Sequence, residues 1–537
     1  VVEEMHTTPR TLRRFARSMN FRNDFNVSFT KRGIILGSDL RFLLLNNNDA
    51  TPSWNITNQG LSSVLSRTFA QDFGTLARKE PPEPRGLPWL GSILSLTMSG
   101  GAKKLHEYVD KRHQELGSVF RDQIGPIDAV FVNSPTEYRK VLADLAGNTP
   151  RHFLPESWML YNEIRTQNRG LLFMDGEEWW HYRKILNKVM LKPIAKNFFC
   201  GPCQEAAENL TKEWQRYSRI GCVIPNLEHQ LYQWSIEVML GTMIGSQWHA
   251  CEPWLRRDIE DVATTLHQIF TYTSRLSMMP AKLAMKLRLP VWNKFVKAAD
   301  KVLDKVRKLV PAMIQLSDND GLLQMILNNG IRGDEAVRII CDFVVAAGDT
   351  TSITMQWALL LLSTHPELQE QLFDEIKNLP LEDLLQHQLL RYTWKETLRL
   401  HPVAPFLTRY LPVDSIIGGY FVPKGDLIIL SLYSSGRDEN NFLRPNEFWP
   451  ERWFRTGKED LFTYRGVKDT RAYVPFAVGV RNCIGQRLAE TQLSLTLAQL
   501  IKNFKIECEN RDRIKMILRM VSVPSESIRL KLIDREI

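Results

Sequence analysis

The segment Phe476-Ala-Val-Gly479-Val-Arg481-Asn-Cys483-Ile-Gly485-Gln-Arg487-Leu-Ala-Glu490 constrains this chain more than any other stretch of it. It reads as a loop that holds out one cysteine and then runs directly into a helix. A cysteine that ligates a metal does so as a thiolate, whereas a free thiol titrates near pH ~8.5. Two features are expected to lower that value: Arg481, just ahead of the sulfur, and the N-terminus of the helix that follows. Gly479 and Gly485 allow a tight backbone around the sulfur, with amide N–H groups turned towards it. Phe476 is placed to cover one side of the sulfur and keep water out. A cysteine acting only as a small buried hydrophobe needs none of this.

Other segments carry chemistry of their own. Residues 332–363 read as one long helix interrupted at Val345-Ala-Ala-Gly348-Asp349-Thr350-Thr351. Glycine beside residues that compete for backbone hydrogen bonds weakens the helix there and opens a groove for a small ligand. Asp349 and Thr350 set a carboxylate next to a hydroxyl, a combination suited to relaying protons into a dry pocket. Glu396-Thr-Leu-Arg399 puts opposite charges at i and i+3 on one helical face, ordinarily surface decoration contributing ~0.3–0.5 kcal/mol. Downstream, Pro450-Glu451-Arg452-Trp453 offers a second arginine in a proline-locked loop. In Trp179-Trp-His-Tyr-Arg183 an indole and a guanidinium stand one helical turn apart, so both can reach one carboxylate.

In order and spacing these segments resemble the cytochrome P-450 family across residues 80–537. The resemblance implies a mainly α (α+β) fold, a single large haem domain with small β-sheets. Haem b would lie between the long helix and the cysteine loop, with Cys483 as axial ligand and Phe476, Gly479 and Gly485 shaping the loop. Glu396, Arg399 and Arg452 would meet as a buried charge triad behind the haem. Trp179 and Arg183, with Arg409 and Arg481, would reach its propionates. Val344, Ala347, Ala404, Phe406, Val521 and Ser522 fall where substrate-pocket residues are expected. The sequence departs from the family pattern at Ala347, where glycine is usual. Arg391 and Lys395, at i and i+4 upstream of Glu396, stand where mitochondrial members dock an acidic, adrenodoxin-type [2Fe–2S] ferredoxin served by an NADPH-dependent reductase.

Composition sets the boundaries of this reading. The 537 residues are 44% apolar and 24% charged, a globular balance with ample chain for a large core. A net charge of +9 suits an anionic membrane surface or an acidic protein partner. No zinc-finger, basic-zipper or RNA-recognition pattern accompanies the charge, so no nucleic-acid partner is expected. Seven cysteines in so long a chain do not make a disulfide framework, and the pair Cys200-Gly-Pro-Cys203 has no second pair at metal-ligand spacing. A reducing compartment is therefore expected, and with it the sequons at Asn26, Asn55 and Asn209 are expected to be unused.

Near the start, Arg10, Arg13, Arg14 and Arg17 share one helical face while Leu12, Phe15 and Met19 fall opposite, the make-up of a mitochondrial presequence. Met5 is the expected initiator. No stretch in the first eighty residues approaches the ~18–20 apolar residues of a membrane span. We therefore expect residues 1–78 to be presequence and linker and 79–537 the haem domain, peripheral on the matrix side of the inner membrane. The proline-rich run from Lys79 to Trp89 reads as a stiff hinge at the domain's entrance. Nothing resembles a flavin or nicotinamide domain, so electrons must come from another protein.

Monooxygenation is the reaction the resemblance implies, with thiolate push from Cys483 and protons through Asp349 and Thr350. Residues 100–110, 346–351 and 400–411 further resemble the arthropod ecdysteroid 2-hydroxylases, a branch of the family, implying C2 hydroxylation of a 2-deoxyecdysteroid in moulting-hormone synthesis. The alternatives are a mitochondrial detoxifying hydroxylase, a haem-thiolate enzyme that rearranges oxygenated substrates without outside electrons, and a non-catalytic haem sensor or electron carrier.

Overall fold

The computed structural model describes residues 79–535 apart from 166–169, 192–194, 246–252, 278, 318–320 and 458–463. The Arg-rich start and the sequons at Asn26 and Asn55 lie outside the described residues. The longer helices are α1 (Leu105–Leu116), α2 (Gly176–Met190), α3 (Ala195–Arg219), α4 (Leu227–Ile244), α5 (Pro253–Leu276), α6 (Pro290–Leu316), α7 (Gly333–Ser363), α8 (Gln388–Leu400) and α9 (Gln486–Asn503). Their apolar spacing explains them. In α6, Pro290 opens the helix, and Trp292, Phe295, Ala299, Val302, Val306, Leu309 and Met313 make the buried stripe.

α7 is the central beam. It runs 31 residues, and every side chain at positions 351–360 is buried. α4, α8 and α9 all pack on it. The interruption expected at residues 345–351 does not occur, because the helix continues through them. Hydroxyl groups there add to the backbone ladder without replacing it: Thr350 Oγ1 donates to the Ala346 carbonyl and Ser235 Oγ, from α4, to the Ala347 carbonyl, each at 2.9 Å. Gly348 serves a close approach. A Cβ there would lie 2.5 Å from the Tyr232 ring of α4.

The strands are β1 (Val119–Ile124), β2 (Ile127–Val132), β3 (Phe406–Tyr410), β4 (Ser415–Ile417), β5 (Tyr420–Val422), β6 (Leu427–Ser431), β7 (Phe504–Cys508), β8 (Met516–Arg519), β9 (Val521–Pro524) and β10 (Leu530–Asp534). One sheet has the order β1-β2-β6-β3, and three two-stranded sheets complete the set. Gly125, at φ 57, makes the tight turn between β1 and β2. β2 and β6 run parallel, with Ala129 opposite Leu427 and Val132 opposite Leu430. The proline-rich entrance is tied to these sheets: Arg121 N–H donates to the Pro82 carbonyl and Phe421 N–H to that of Lys79, both at 2.9 Å. Among the described residues no helix is long and apolar enough to cross a membrane.

Candidate active site

Cys483 lies just ahead of α9, whose N-cap is Gly485. The loop closes on itself through Cys483 N–H to the Phe476 carbonyl at 2.8 Å. Gly479 has φ 83, and any side chain there would run into the Leu142 carbonyl. Gly485 is different. Its φ of −86 suits any residue, and nothing stands within 4 Å of where its Cβ would be. It contributes clearance, not the conformational freedom expected from the sequence.

The sulfur's electrostatics correct a second expectation. Cys483 keeps open surface, yet the protein atoms crowded around its sulfur push the thiol up, and the influences that oppose this are the Gly485 N–H, the Arg183 guanidinium and the Gln486 N–H. The helix N-terminus acts as expected, but the cation is Arg183 and not Arg481. Arg481 instead binds Asp175 Oδ1 at 2.8 Å and the carbonyls of Pro150, Leu172 and Met174. A metal cation at the sulfur would supply the remaining pull that removes the proton.

Trp179 and Arg183 emerge from one face of α2, and Arg409 comes from β3. All are buried. The guanidiniums of Arg481 and Arg183 flank the Trp179 ring, 4.6 and 5.9 Å from its centroid. Arg183 donates to Asn187 Oδ1 at 2.7 Å and to Asn482 Oδ1 and carbonyl at 2.7 and 2.6 Å. Arg409 donates to the Thr408 carbonyl at 2.7 Å, and its Nε is buried without a partner. Burial lowers the pKa of both Arg183 and Arg409 to about 10. Asp175 pairs with Arg481 and reaches Arg409 only through its field, so among the described residues neither Arg183 nor Arg409 has an ion pair with a carboxylate. A cysteine sulfur beside such a cluster fits haem, whose two propionates bring the missing anions.

Behind the loop, Glu396 of α8 is fully buried and its carboxylate collects five donors. Arg399 is bidentate, with Nη2 to Oε1 at 2.8 Å and Nε to Oε2 at 3.0 Å. Arg452 Nε reaches Oε1 at 2.7 Å. The Trp453 indole N–H and the Trp449 backbone N–H add bonds of 2.9 and 3.1 Å. Arg399 also ties the Gly436, Pro445 and Glu447 carbonyls to the same point. The triad is thus assembled, and sequence reasoning missed the two tryptophan donors. The indole's place next to Arg452 in the proline-locked loop was the available signal.

The basic pair on α8 is not an equal pair. Lys395 is enclosed by aromatic rings, its ammonium 3.7 Å from the Trp453 centroid and 5.1 Å from that of Tyr473. Burial first, then Arg391, lower its pKa to about 8. Its ammonium thus lies over rings and not free in solvent, and Trp453, which donates to Glu396, is one of them.

On α7, Ala346 and Thr350 are the exposed positions within 335–363 and stand one turn apart, on one face of the helix. Asp349 faces elsewhere. Burial, and secondly the Glu228 carboxylate, raise its pKa to about 7. It lines a cavity of about 360 Å³ bounded by α4, α5, α7 and the β8–β9 hairpin, together with Tyr232, Gln268, Ser352, Gln356 and Val521. Asp349 and Thr350 are therefore adjacent in sequence but turned to different spaces. Of the expected pocket residues, Ala347, Ala404 and Phe406 are half-buried, and Val521 lines the cavity. Val344 packs in the main core. Ser522 is no pocket residue: it is fully buried, its hydroxyl bonded to the Pro402 carbonyl at 2.8 Å. Cys200 and Cys203 are free thiols within α3.

A sulfur presented ahead of a helix, beside buried arginines that lack anions, fits a haem-thiolate protein. The family model for cytochrome P-450 matches residues 81–532, and the chain belongs to that family. It is 37% identical over 482 residues to the mitochondrial cytochrome P-450 315a1 of Drosophila melanogaster, covering 86% of this chain and 90% of the relative. It is 26% identical over 458 residues to the mitochondrial 1,25-dihydroxyvitamin D(3) 24-hydroxylase of Rattus norvegicus, covering 83% of this chain and 87% of the relative. It is 27% identical over 462 residues to the mitochondrial cholesterol side-chain cleavage enzyme of Oncorhynchus mykiss, covering 82% of this chain and 88% of the relative. The chain is a haem-b monooxygenase of the mitochondrial type, among relatives that hydroxylate steroids and secosteroids.

Proposed function

We propose that this enzyme hydroxylates a steroid nucleus at C2, converting a 2-deoxyecdysteroid to its 2-hydroxy product. Support for the steroid comes from the relatives and from the resemblance of residues 100–110, 346–351 and 400–411 to ecdysteroid 2-hydroxylases. The observation that carries the chemistry is the buried carboxyl of Asp349 on α7, raised to about 7, next in sequence to Thr350 although the two open onto different spaces. Such a group is poised to take up and release protons near neutral pH. Bound through Cys483, haem supplies the oxygen-activating redox chemistry. The protein's share is to hold it, with Arg183, Arg409, Arg481 and Trp179 at the propionates and the Glu396–Arg399–Arg452 triad bracing the loop. Thr350 and Ala346 face the substrate space, with Ala347, Ala404 and Phe406 as its walls.

Electrons come from an adrenodoxin-type [2Fe–2S] ferredoxin and its NADPH-dependent reductase. Arg391 leads the docking face, and Lys395 lends its field from the aromatic enclosure behind. The domain rests on the matrix face of the inner membrane. Exposed Trp89, Leu90, Leu94 and Met98 near the entrance, and Leu283 and Leu287 flanked by the exposed Lys282, Lys286 and Arg288, supply apolar and basic groups for that contact. The test is turnover of 2-deoxyecdysone by the purified enzyme with ferredoxin and reductase, read by mass spectrometry. A C2-hydroxylated product that requires the ferredoxin is the expected result. Oxidation of unrelated lipophiles with no turnover of the steroid would replace this reading with a detoxifying one.

A further inference from the structure

Where the C-terminal ends of α7 and α8 approach residues 444–449, the fold leaves a cavity of about 730 Å³ that shares no residue with the one beside Asp349. Of its lining residues Arg444, Asn446 and Glu447 are exposed, so it opens to solvent, while Leu400 and Phe448 are buried. Arg437 sets this cavity apart. Its guanidinium lies 3.8 Å from the Tyr433 ring centroid, and Nη1 is buried. Yet among the described residues its side chain makes no hydrogen bond and no ion pair, not even to a carbonyl at the end of either helix. The neighbouring arginines are answered, Arg399 by Glu396 at 2.8 Å and Arg444 by Glu447 at 3.0 Å. Burial lowers the pKa of Arg437, and Asp110 and Glu107 oppose this only through their fields.

Two further observations point to the same space. His401 stacks on Trp357 with ring centroids 4.1 Å apart, and its Nδ1 is buried without a partner. Arg444 holds a left-handed backbone, φ 44, a conformation that non-glycine residues keep where their surroundings impose it, ligand clamps among them. A buried cation with no anion is costly, and Glu447, the one carboxylate in the lining, is held by Arg444.

We propose that this cavity binds a small oxyanion of the phosphate class, with Arg437 as its principal cation and His401, Asn446 and Arg444 as further donors. A planar guanidinium meets two oxygens of such an anion at once. The site is separate from the substrate space, but its wall is tied to the Glu396 triad. Arg399 donates to the carbonyls of Gly436, Pro445 and Glu447, and Arg452 to those of Arg444 and Glu447. An anion held by Arg437 and Arg444 therefore braces the backbone that these two arginines hold, and its occupancy slows the loss of haem.

The measurement is equilibrium dialysis of the haem-loaded enzyme, in chloride buffer, against radiolabelled inorganic phosphate and, separately, labelled AMP. Loading with haem gives Arg183 and Arg409 their anions beforehand. Saturable binding of one anion per chain is expected; binding of phosphate marks the free ion as ligand, and binding of AMP alone marks a phosphate monoester. Arg437→Gln should weaken the binding by about tenfold or more, and Arg444→Gln, at an exposed position, by about threefold. Saturating anion should slow haem transfer to apomyoglobin by about twofold or more in the wild type and leave Arg437→Gln unchanged. Absence of saturable binding, or wild-type affinity in Arg437→Gln, would overturn the site. If Arg437→Gln fails to fold, wild-type affinity in Arg444→Gln overturns it instead. Equal slowing of haem loss by chloride at matched ionic strength would overturn the bracing.

Discussion

Glu396 shows how one side chain can hold a region together. Its carboxylate is buried, and two guanidiniums, an indole and a backbone amide converge on it. Removing a member of such a buried pair typically costs ~3–5 kcal/mol, because the partners keep their charge with nothing to answer it. Glu396→Ala should therefore yield little haem-loaded protein. Trp453→Phe, which deletes one hydrogen bond to a charged group and keeps the ring, should cost only ~1.5–3 kcal/mol in urea melts and still load haem. Normal loading in Glu396→Ala would show that the triad is dispensable. The carboxylate and both arginines were legible in the sequence because charge at fixed spacing is visible there. The indole's second role was not, since a tryptophan reads equally well as plain core. The Arg183–Cys483 relation was equally hidden: 300 residues separate the two, and only the fold brings the cation towards the sulfur.

At the scale of elements, α7 was legible in its ends and in its residues, and misread in its middle. Glycine and hydroxyl residues suggested a break because, within an isolated helix, they weaken it. The neighbouring α4 reverses that inference: Ser235 binds a carbonyl of the segment and Tyr232 fills the room that Gly348 leaves. Gly348→Ala should accordingly destabilise the protein by ~1–3 kcal/mol, the usual cost of overpacking. The same substitution in a Tyr232→Ala background should cost far less, and a double-mutant cycle on thermal melts measures the coupling. Additive effects would mean that the two residues do not press on each other. The α8 basic pair is uneven for a related reason. Helical periodicity places Arg391 and Lys395 on one face, but the rings that close over Lys395 come from a loop some sixty residues on.

For the molecule as a whole, buried titratable groups set the pH dependence of stability. Burial raises the carboxyls of Asp342 and Asp349 to about 7. The folded state therefore holds protons that the unfolded chain has released, and stability falls as pH climbs from ~4 towards 7. His106 and His113 lean the other way. Burial lowers both to about 4, so between pH ~4 and 6.5 the unfolded chain binds the extra protons and stability rises with pH. Asp342→Asn isolates the first effect, since an amide oxygen can still accept the Leu172 N–H. Its stability relative to wild type should increase from pH 4 to 7.5 in urea midpoints. A difference that stays flat over that range would remove Asp342 from the account.

β2 and β6 are short runs rich in β-branched and aliphatic residues, but nothing in either run announces their pairing. Parallel partners almost 300 residues apart leave no local mark in the sequence. That pairing reaches beyond the finished fold. A chain threaded into mitochondria N-terminus first delivers β1 and β2 long before β6 exists on the inner side. Until β6 arrives, Val130 and Val132 sit in an open, sticky edge with nothing to close it. The sheet can close only once β6 has followed, after most of the chain.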